Sequence, residues 1–245
     1  MLRRVLSLTL AAIRWVFRQE IGVLIAAAVV AAALWLFSNV ADEVLEGEAD
    51  PIDHRILLAL RSPDDPAKPI GPDWLVVTAQ EITALGSTSV LALLTLIVGL
   101  YLWLRRSPNT ALFVLISVGG GALISTLLKL IFGRERPSIV PHLTHLGQAS
   151  FPSGHAMLST VAFLTLGALL AEIEKRKRVK AFILAVAVGV AALVGATRVY
   201  LGVHYPTDVV AGWTAGVAWA VGCWGMARWL KKRGEIMDTE SSAKQ

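Results

Sequence analysis

The chain has 245 residues, 55% of them hydrophobic and only 17% charged, with a mean hydropathy of +0.63, a composition that excludes an ordinary soluble domain and indicates a membrane protein. The net charge of +5 and a pI near 9.6 do not indicate nucleic acid, because the basic residues stand in short clusters beside apolar stretches, a placement that sets membrane orientation.

The basic N-terminus is followed by an apolar stretch from Ile21 to Val40. It could be read as a signal peptide, but it is longer than a signal core and reads better as an uncleaved first membrane helix, 21–40. The next segment, 41–86, carries Asp42, Glu43, Glu46, Glu48 and Asp50. Within it, Ile52 to Leu60 is apolar but too short to span, which predicts an interfacial helix. Pro63, Pro66, Pro69 and Pro72 then break the chain before Trp74, a residue suited to the membrane boundary. Trp74 to Leu85 is helical in pattern but includes Gln80, Glu81 and Thr83, so it either lies at the outer surface or extends the second membrane helix.

Further membrane helices are predicted at 87–104, 111–132, 155–171, 181–200 and 209–230, the fourth short and expected to extend at its cytoplasmic end. No strand-like alternation suggests a barrel, and no internal repeat is evident. The expected fold is all-α: a polytopic six-transmembrane-helix bundle forming one domain over 1–245. Cys223, the single cysteine, lies in the last apolar stretch, reads as a small buried residue and rules out an intramolecular disulfide.

Residues 1–20, 105–110, 172–180 and 228–245 hold 16 of the 23 Lys and Arg, including the run Lys175, Arg176, Lys177, Arg178 and Lys180. The positive-inside rule therefore places both termini in the cytoplasm and the alternate segments outside. The expected location is a cell membrane crossed several times, with the lipid bilayer as surroundings and the alternate segments facing the cell exterior.

Three polar clusters interrupt the apolar sequence: Lys129 to Pro137, Pro152 to His155, and Arg198 to Asp208. Counting crossings brings all three to the outer face. Each residue has a bland alternative: Lys129 snorkelling from a helix end, Arg136 pairing with Glu135 or Glu81, Ser153 acting only as an N-cap, His155 making a local hydrogen bond. Those readings do not explain why the groups converge where burying ionisable residues is costly. Three cations, Lys129, Arg136 and Arg198, imply an anion, and the arginine fork suits phosphate. Ser153 and Gly154 at a helix start add backbone N–H donors to the same anion.

Phosphoryl transfer without a metal needs a nucleophile, an acid for the leaving oxygen and fixed positive charge. His204 is the better nucleophile, because Asp208 can accept its other ring N–H; Pro206 is expected near the first turn of the sixth helix. His155 remains as general acid. The pair His142 and His145 could suggest a metal, but it lacks a carboxylate or cysteine at familiar spacing, so no metal and no cofactor are expected.

At these residues the sequence resembles the type 2 phosphatidic acid phosphatase family, whose superfamily includes vanadium-dependent haloperoxidases and glucose 6-phosphatase. Lys-x6-Arg-Pro is matched by Lys129, Arg136 and Pro137, and Pro-Ser-Gly-His by Pro152, Ser153, Gly154 and His155. Ser-Arg-x5-His-x3-Asp is matched by Arg198, His204 and Asp208, with Thr197 in place of the serine. The resemblance reaches from about 80 to 225, since Thr83-Ala-Leu-Gly86 also looks like the family's second-helix entrance.

The resemblance implies that Lys129, Arg136, Ser153, Gly154 and Arg198 hold phosphate, His204 forms a phosphohistidine, His155 is the acid and Asp208 orients His204. It implies metal-independent hydrolysis of a membrane lipid phosphate or pyrophosphate, such as phosphatidic acid, phosphatidylglycerophosphate or undecaprenyl pyrophosphate. The alternatives are a lipid phosphotransferase using the same site, and a non-catalytic lipid-binding or transport protein, for which the two histidines and Asp208 would have no evident use.

Overall fold

The structure is a computed structural model that describes residues 21–144 and 149–232, without the side chains of 230–232. The basic N-terminal segment, His145, and Arg233 and Lys244 near the C-terminus lie outside the described residues.

The chain runs through α1 (Ile21–Glu46), α2 (Asp50–Ala59), a hairpin of β1 (Arg61–Ser62) and β2 (Asp65–Pro69), α3 (Asp73–Ala84), α4 (Thr88–Leu104), α5 (Pro108–Phe132), α6 (Gly154–Ile173), α7 (Lys177–Tyr200) and α8 (Pro206–Lys232). Among the described residues, α1, α5, α6, α7 and α8 are each long and apolar enough to cross a membrane. The pair α3 and α4, bent by 43°, makes a sixth span when taken together.

Most helices run past the lengths read from hydropathy. α1 continues through Asp42 and Glu43 to Glu46, residues expected in the following segment, because a helix leaving lipid keeps its hydrogen bonds until the sequence offers a stop. α5 begins at Pro108, where a missing N–H costs nothing, and ends at Gly133, which takes the left-handed conformation and donates to the Lys129 carbonyl at 3.1 Å. α6 extends to Ile173 at the end where extension was expected, and α8 starts at Pro206, ahead of the expected 209.

The short apolar stretch after α1 is a helix, α2, as its length suggested. The proline-rich break contains a small antiparallel hairpin with Arg61 opposite Pro69, which the spacing of prolines did not disclose. It leaves the fold all-helical in its membrane part.

α6 is the central helix, packed against α5, α7 and α8, and its residues Ala156 to Ala162 are all buried. α1 lies along α8, and α3 against α7. α8 approaches α6 so closely that a Cβ on Gly212 would stand 2.6 Å from the Ser153 carbonyl, and one on Gly216 2.9 Å from that of Met157. This contact sets the N-terminus of α8 against the N-terminus of α6. Trp213 and Trp219 of α8 donate their indole N–H groups to Ala191 on α7 (3.0 Å) and Ser117 on α5 (2.7 Å), satisfying donors that lipid could not. Behind the helix starts, Phe37, Phe132 and Phe151 form an aromatic cluster with centroids 4.8–6.2 Å apart.

Candidate active site

The three polar clusters meet where α5 ends and α6 and α8 begin. Ser153 caps α6, its Oγ accepting from the Ala156 N–H at 3.5 Å, while its own N–H donates to the Asp208 carbonyl at 2.9 Å. α7 ends at Tyr200, and a five-residue loop carries the chain to Pro206. Gly202 turns this loop with φ +73°, and the Val203 N–H donates to the Arg198 carbonyl at 3.2 Å. The loop thereby directs His204 inward.

His204 is 1% exposed. Its Nδ1 lies 3.3 Å from Asp208 Oδ2 and 3.3 Å from Ser150 Oγ, and its Nε2 lies 3.4 Å from Arg136 Nη1. Burial pushes the imidazole down to about 3, with the Arg136 and Arg198 charges adding to that effect and Asp208 opposing it. The ring is therefore neutral near pH 7, with one ring nitrogen left as an acceptor.

Asp208, in the first turn of α8, is fully buried. Its Oδ2 accepts from the Tyr205 N–H at 2.9 Å and from the Ser150 hydroxyl in a short contact; its Oδ1 accepts from Arg134 Nη1 at 2.9 Å.

The expected phosphate ligands surround this pair. Lys129 Nζ donates to the Ala149 carbonyl at 2.7 Å. Arg136 donates to the Val203 carbonyl at 2.6 Å and to Ala149 at 3.4 Å. Lys129 and Arg136 thus converge on one carbonyl beside His204. A Cβ on Gly154 would meet Lys129 Cε at 3.4 Å, so the bare start of α6 faces that lysine. Arg198 is 3% exposed and donates from Nη1 to Thr83 Oγ1 at 3.2 Å, while its buried Nε has no hydrogen-bond partner among the described residues. A buried donor of that kind suits an anion.

His155 is half-buried on the first turn of α6, within electrostatic reach of Arg198, Arg136 and Lys129. The break between α3 and α4 lies against it: a Cβ on Gly86 would stand 3.2 Å from the His155 carbonyl. Every expected site residue is therefore part of one constellation. Among the described residues no group of three or more His, Cys, Asp or Glu could hold a metal ion.

Sequence reasoning passed over Arg134, Ser150, Asp53 and Thr207. Arg134 and Ser150 flank the motif residues and were visible only as neighbours. Asp53 sits on α2, far away in sequence, and nothing in its local pattern distinguishes it from the other acidic residues of its segment.

Residues 110–232 match the family described as the PAP2 superfamily. The chain belongs to that superfamily. It is 35% identical over 148 residues to phosphatidylglycerophosphatase B of Bacillus subtilis (strain 168), covering 59% of this chain and 71% of the relative. It is 40% identical over 131 residues to a lipid A 1-phosphatase of Rhizobium johnstonii, covering 46% and 49%. The crystal structure of a transmembrane PAP2-type phosphatidylglycerolphosphate phosphatase from Bacillus subtilis superposes with a TM-score of 0.68 at 27% identity, over 84% of this chain and 96% of that one. This PAP2 protein is accordingly a multi-pass membrane lipid phosphatase.

Proposed function

We propose that this PAP2 phosphatase hydrolyses a lipid phosphate monoester or pyrophosphate through a phosphohistidine on His204, without a metal ion, at a site open to the periplasm or cell exterior. His204 Nε2 attacks phosphorus as the bond to the lipid oxygen breaks, and His155 gives its proton to that leaving oxygen. Water then attacks the phosphohistidine, His155 takes the water proton back, and inorganic phosphate leaves. Asp208 holds the ring through Nδ1 and stabilises its positive form. Lys129, Arg136, Arg198 and the α6 start at Ser153 and Gly154 hold the equatorial oxygens.

The observation that carries this reading is the two-sided placement of His204. Nδ1 faces Asp208 at 3.3 Å, and Nε2 faces the arginine side at 3.4 Å from Arg136. A single domain over 1–245 suffices, since the aromatic cluster ties α1 to the turn that carries the α6 motif. Phosphatidylglycerophosphate is the first substrate to test, because the relatives from Bacillus subtilis are named for it; phosphatidic acid and undecaprenyl pyrophosphate complete the panel.

Purified protein is expected to release free phosphate from at least one of these lipids, with activity largely intact in a chelator and competitive inhibition by vanadate, which adopts the five-coordinate geometry of the transferring group. Complete loss on chelation, restored by one divalent ion, would overturn the metal-free mechanism. Transfer of the phosphoryl group to a lipid acceptor with no free phosphate would make the protein a phosphotransferase.

A further inference from the structure

We propose that Asp53, on α2, is a positioning residue for the Asp208–His204 pair, acting through Arg134 and Thr207. Asp53 is fully buried, although it belongs to a helix whose neighbouring residues Ile52, Ile56 and Leu58 are exposed. Its Oδ1 accepts from the Thr207 N–H at 3.0 Å; its Oδ2 accepts from Thr207 Oγ1 at 2.5 Å and from Arg134 Nη2 at 2.9 Å. Arg134 passes the contact on, donating from Nη1 to Asp208 Oδ1 at 2.9 Å and to Thr207 Oγ1 at 2.9 Å. The Arg134 guanidinium also lies 4.2 Å from the centroid of the Tyr205 ring, next in sequence to His204.

The charges explain why a second buried carboxylate belongs here. Asp208 stabilises a cationic or phosphorylated His204 only while its own negative charge is available to the ring. Arg134 alone would draw that charge away. Asp53 takes half of the Arg134 fork, so the cation orients Asp208 without neutralising it. Asp50 also pairs with Arg134, at 3.0 Å, but its side chain is 54% exposed, so solvent screens it. Asp53 further fixes the first turn of α8 by accepting the Thr207 N–H, one of the donors that helix geometry leaves unpaired. The interfacial helix α2 thus enters the catalytic machinery from a segment outside the three motifs.

This inference rests on His204 being the nucleophile, and its test keeps the two apart. Asp53→Asn preserves shape and removes the charge. It is expected to lower kcat and the rate of phosphoenzyme formation by about 10–100-fold, the range seen when a group supporting a ligating or catalytic histidine is lost, with KM little changed. Arg134→Gln is expected to show the same split, and the double variant to lose far less than the product of the two single losses. If Asp53→Asn does not accumulate in the membrane, Thr207→Val, which removes one donor to Asp53, gives the same readout.

Parent-like kcat in Asp53→Asn, a loss confined to KM, or fully multiplicative losses in the double variant would overturn the proposal. His204→Asn is run alongside. Phosphoenzyme retained in that variant would mean that the nucleophile is misassigned; phosphoenzyme lost there, with Asp53→Asn turning over normally, would sink the positioning role alone.

Discussion

At the scale of single residues, the two histidines differ in their surroundings, and the proposed mechanism gives them separate work. His204 is enclosed, tied through Nδ1 to Asp208 and Ser150. His155 is half-buried at a helix start, the position from which the proposed mechanism has it protonate the leaving oxygen. An alkyl alcohol leaves poorly unless protonated, whereas an aryl alcohol with a low pKa leaves unaided. His155→Asn is therefore expected to slow alkyl phosphate cleavage by about 10²–10⁴-fold, the usual contribution of general acid catalysis, and to spare much of phosphoenzyme formation from an activated aryl phosphate. His204→Asn should abolish the covalent intermediate from both, and rapid-quench trapping of phosphoprotein reads the difference. The opposite pattern would exchange the two roles. The motif residues were legible in the sequence because each is a charged or polar group standing where apolar residues surround it. Arg134 was not separable from Arg136, two positions on: they lie in an irregular segment between α5 and α6, so no helical or strand period sorts their directions.

At the scale of elements, the site depends on how close α8 can come to α6. Gly212 meets the Ser153 carbonyl where Ser153 caps α6 and, through its N–H, holds the Asp208 carbonyl. An added methyl there must separate the two helix starts that carry Asp208 and the Ser153 and Gly154 amides. Gly212→Ala is expected to cost about 1–3 kcal/mol of stability, typical of overpacking, and to lower kcat as well. Gly189→Ala on α7, where a Cβ would meet nothing within 4 Å, should leave both unchanged or raise stability slightly. Thermal midpoints in detergent and turnover of the purified variants check this; equal midpoints for the two would remove the close approach as a determinant. Helix positions were legible because twenty-residue apolar stretches have few other uses. Several of their ends were not, since hydropathy reports the part in lipid, while α1 runs on to Glu46 and α5 begins already at Pro108. The docking of α2 under the site was also hidden, because it depends on a contact between Asp53 and Thr207, 154 positions apart.

At the scale of the whole molecule, the remaining issue is which side of the membrane the site faces. α6 has 20 residues, which at about 1.5 Å per residue spans roughly 30 Å, the thickness of the hydrocarbon layer. Its N-terminus holds Ser153 and His155; its C-terminus leads into Lys175 to Lys180, the densest basic run in the chain. The site and this run therefore lie at opposite membrane surfaces, and the orientation of one fixes the other. Basic segments are retained in the cytoplasm during insertion, so the run is expected inside and the site outside. His142 and Lys177 are both exposed and suit labelling, whereas Tyr205 in the catalytic loop is 8% exposed and does not. With Cys223 replaced by serine, a cysteine at 142 should react with an impermeant maleimide in intact cells and one at 177 only after permeabilisation. Labelling of 177 but not 142 would invert the protein, put the phosphate site at the inner leaflet and require that its lipid be met on the cytoplasmic side.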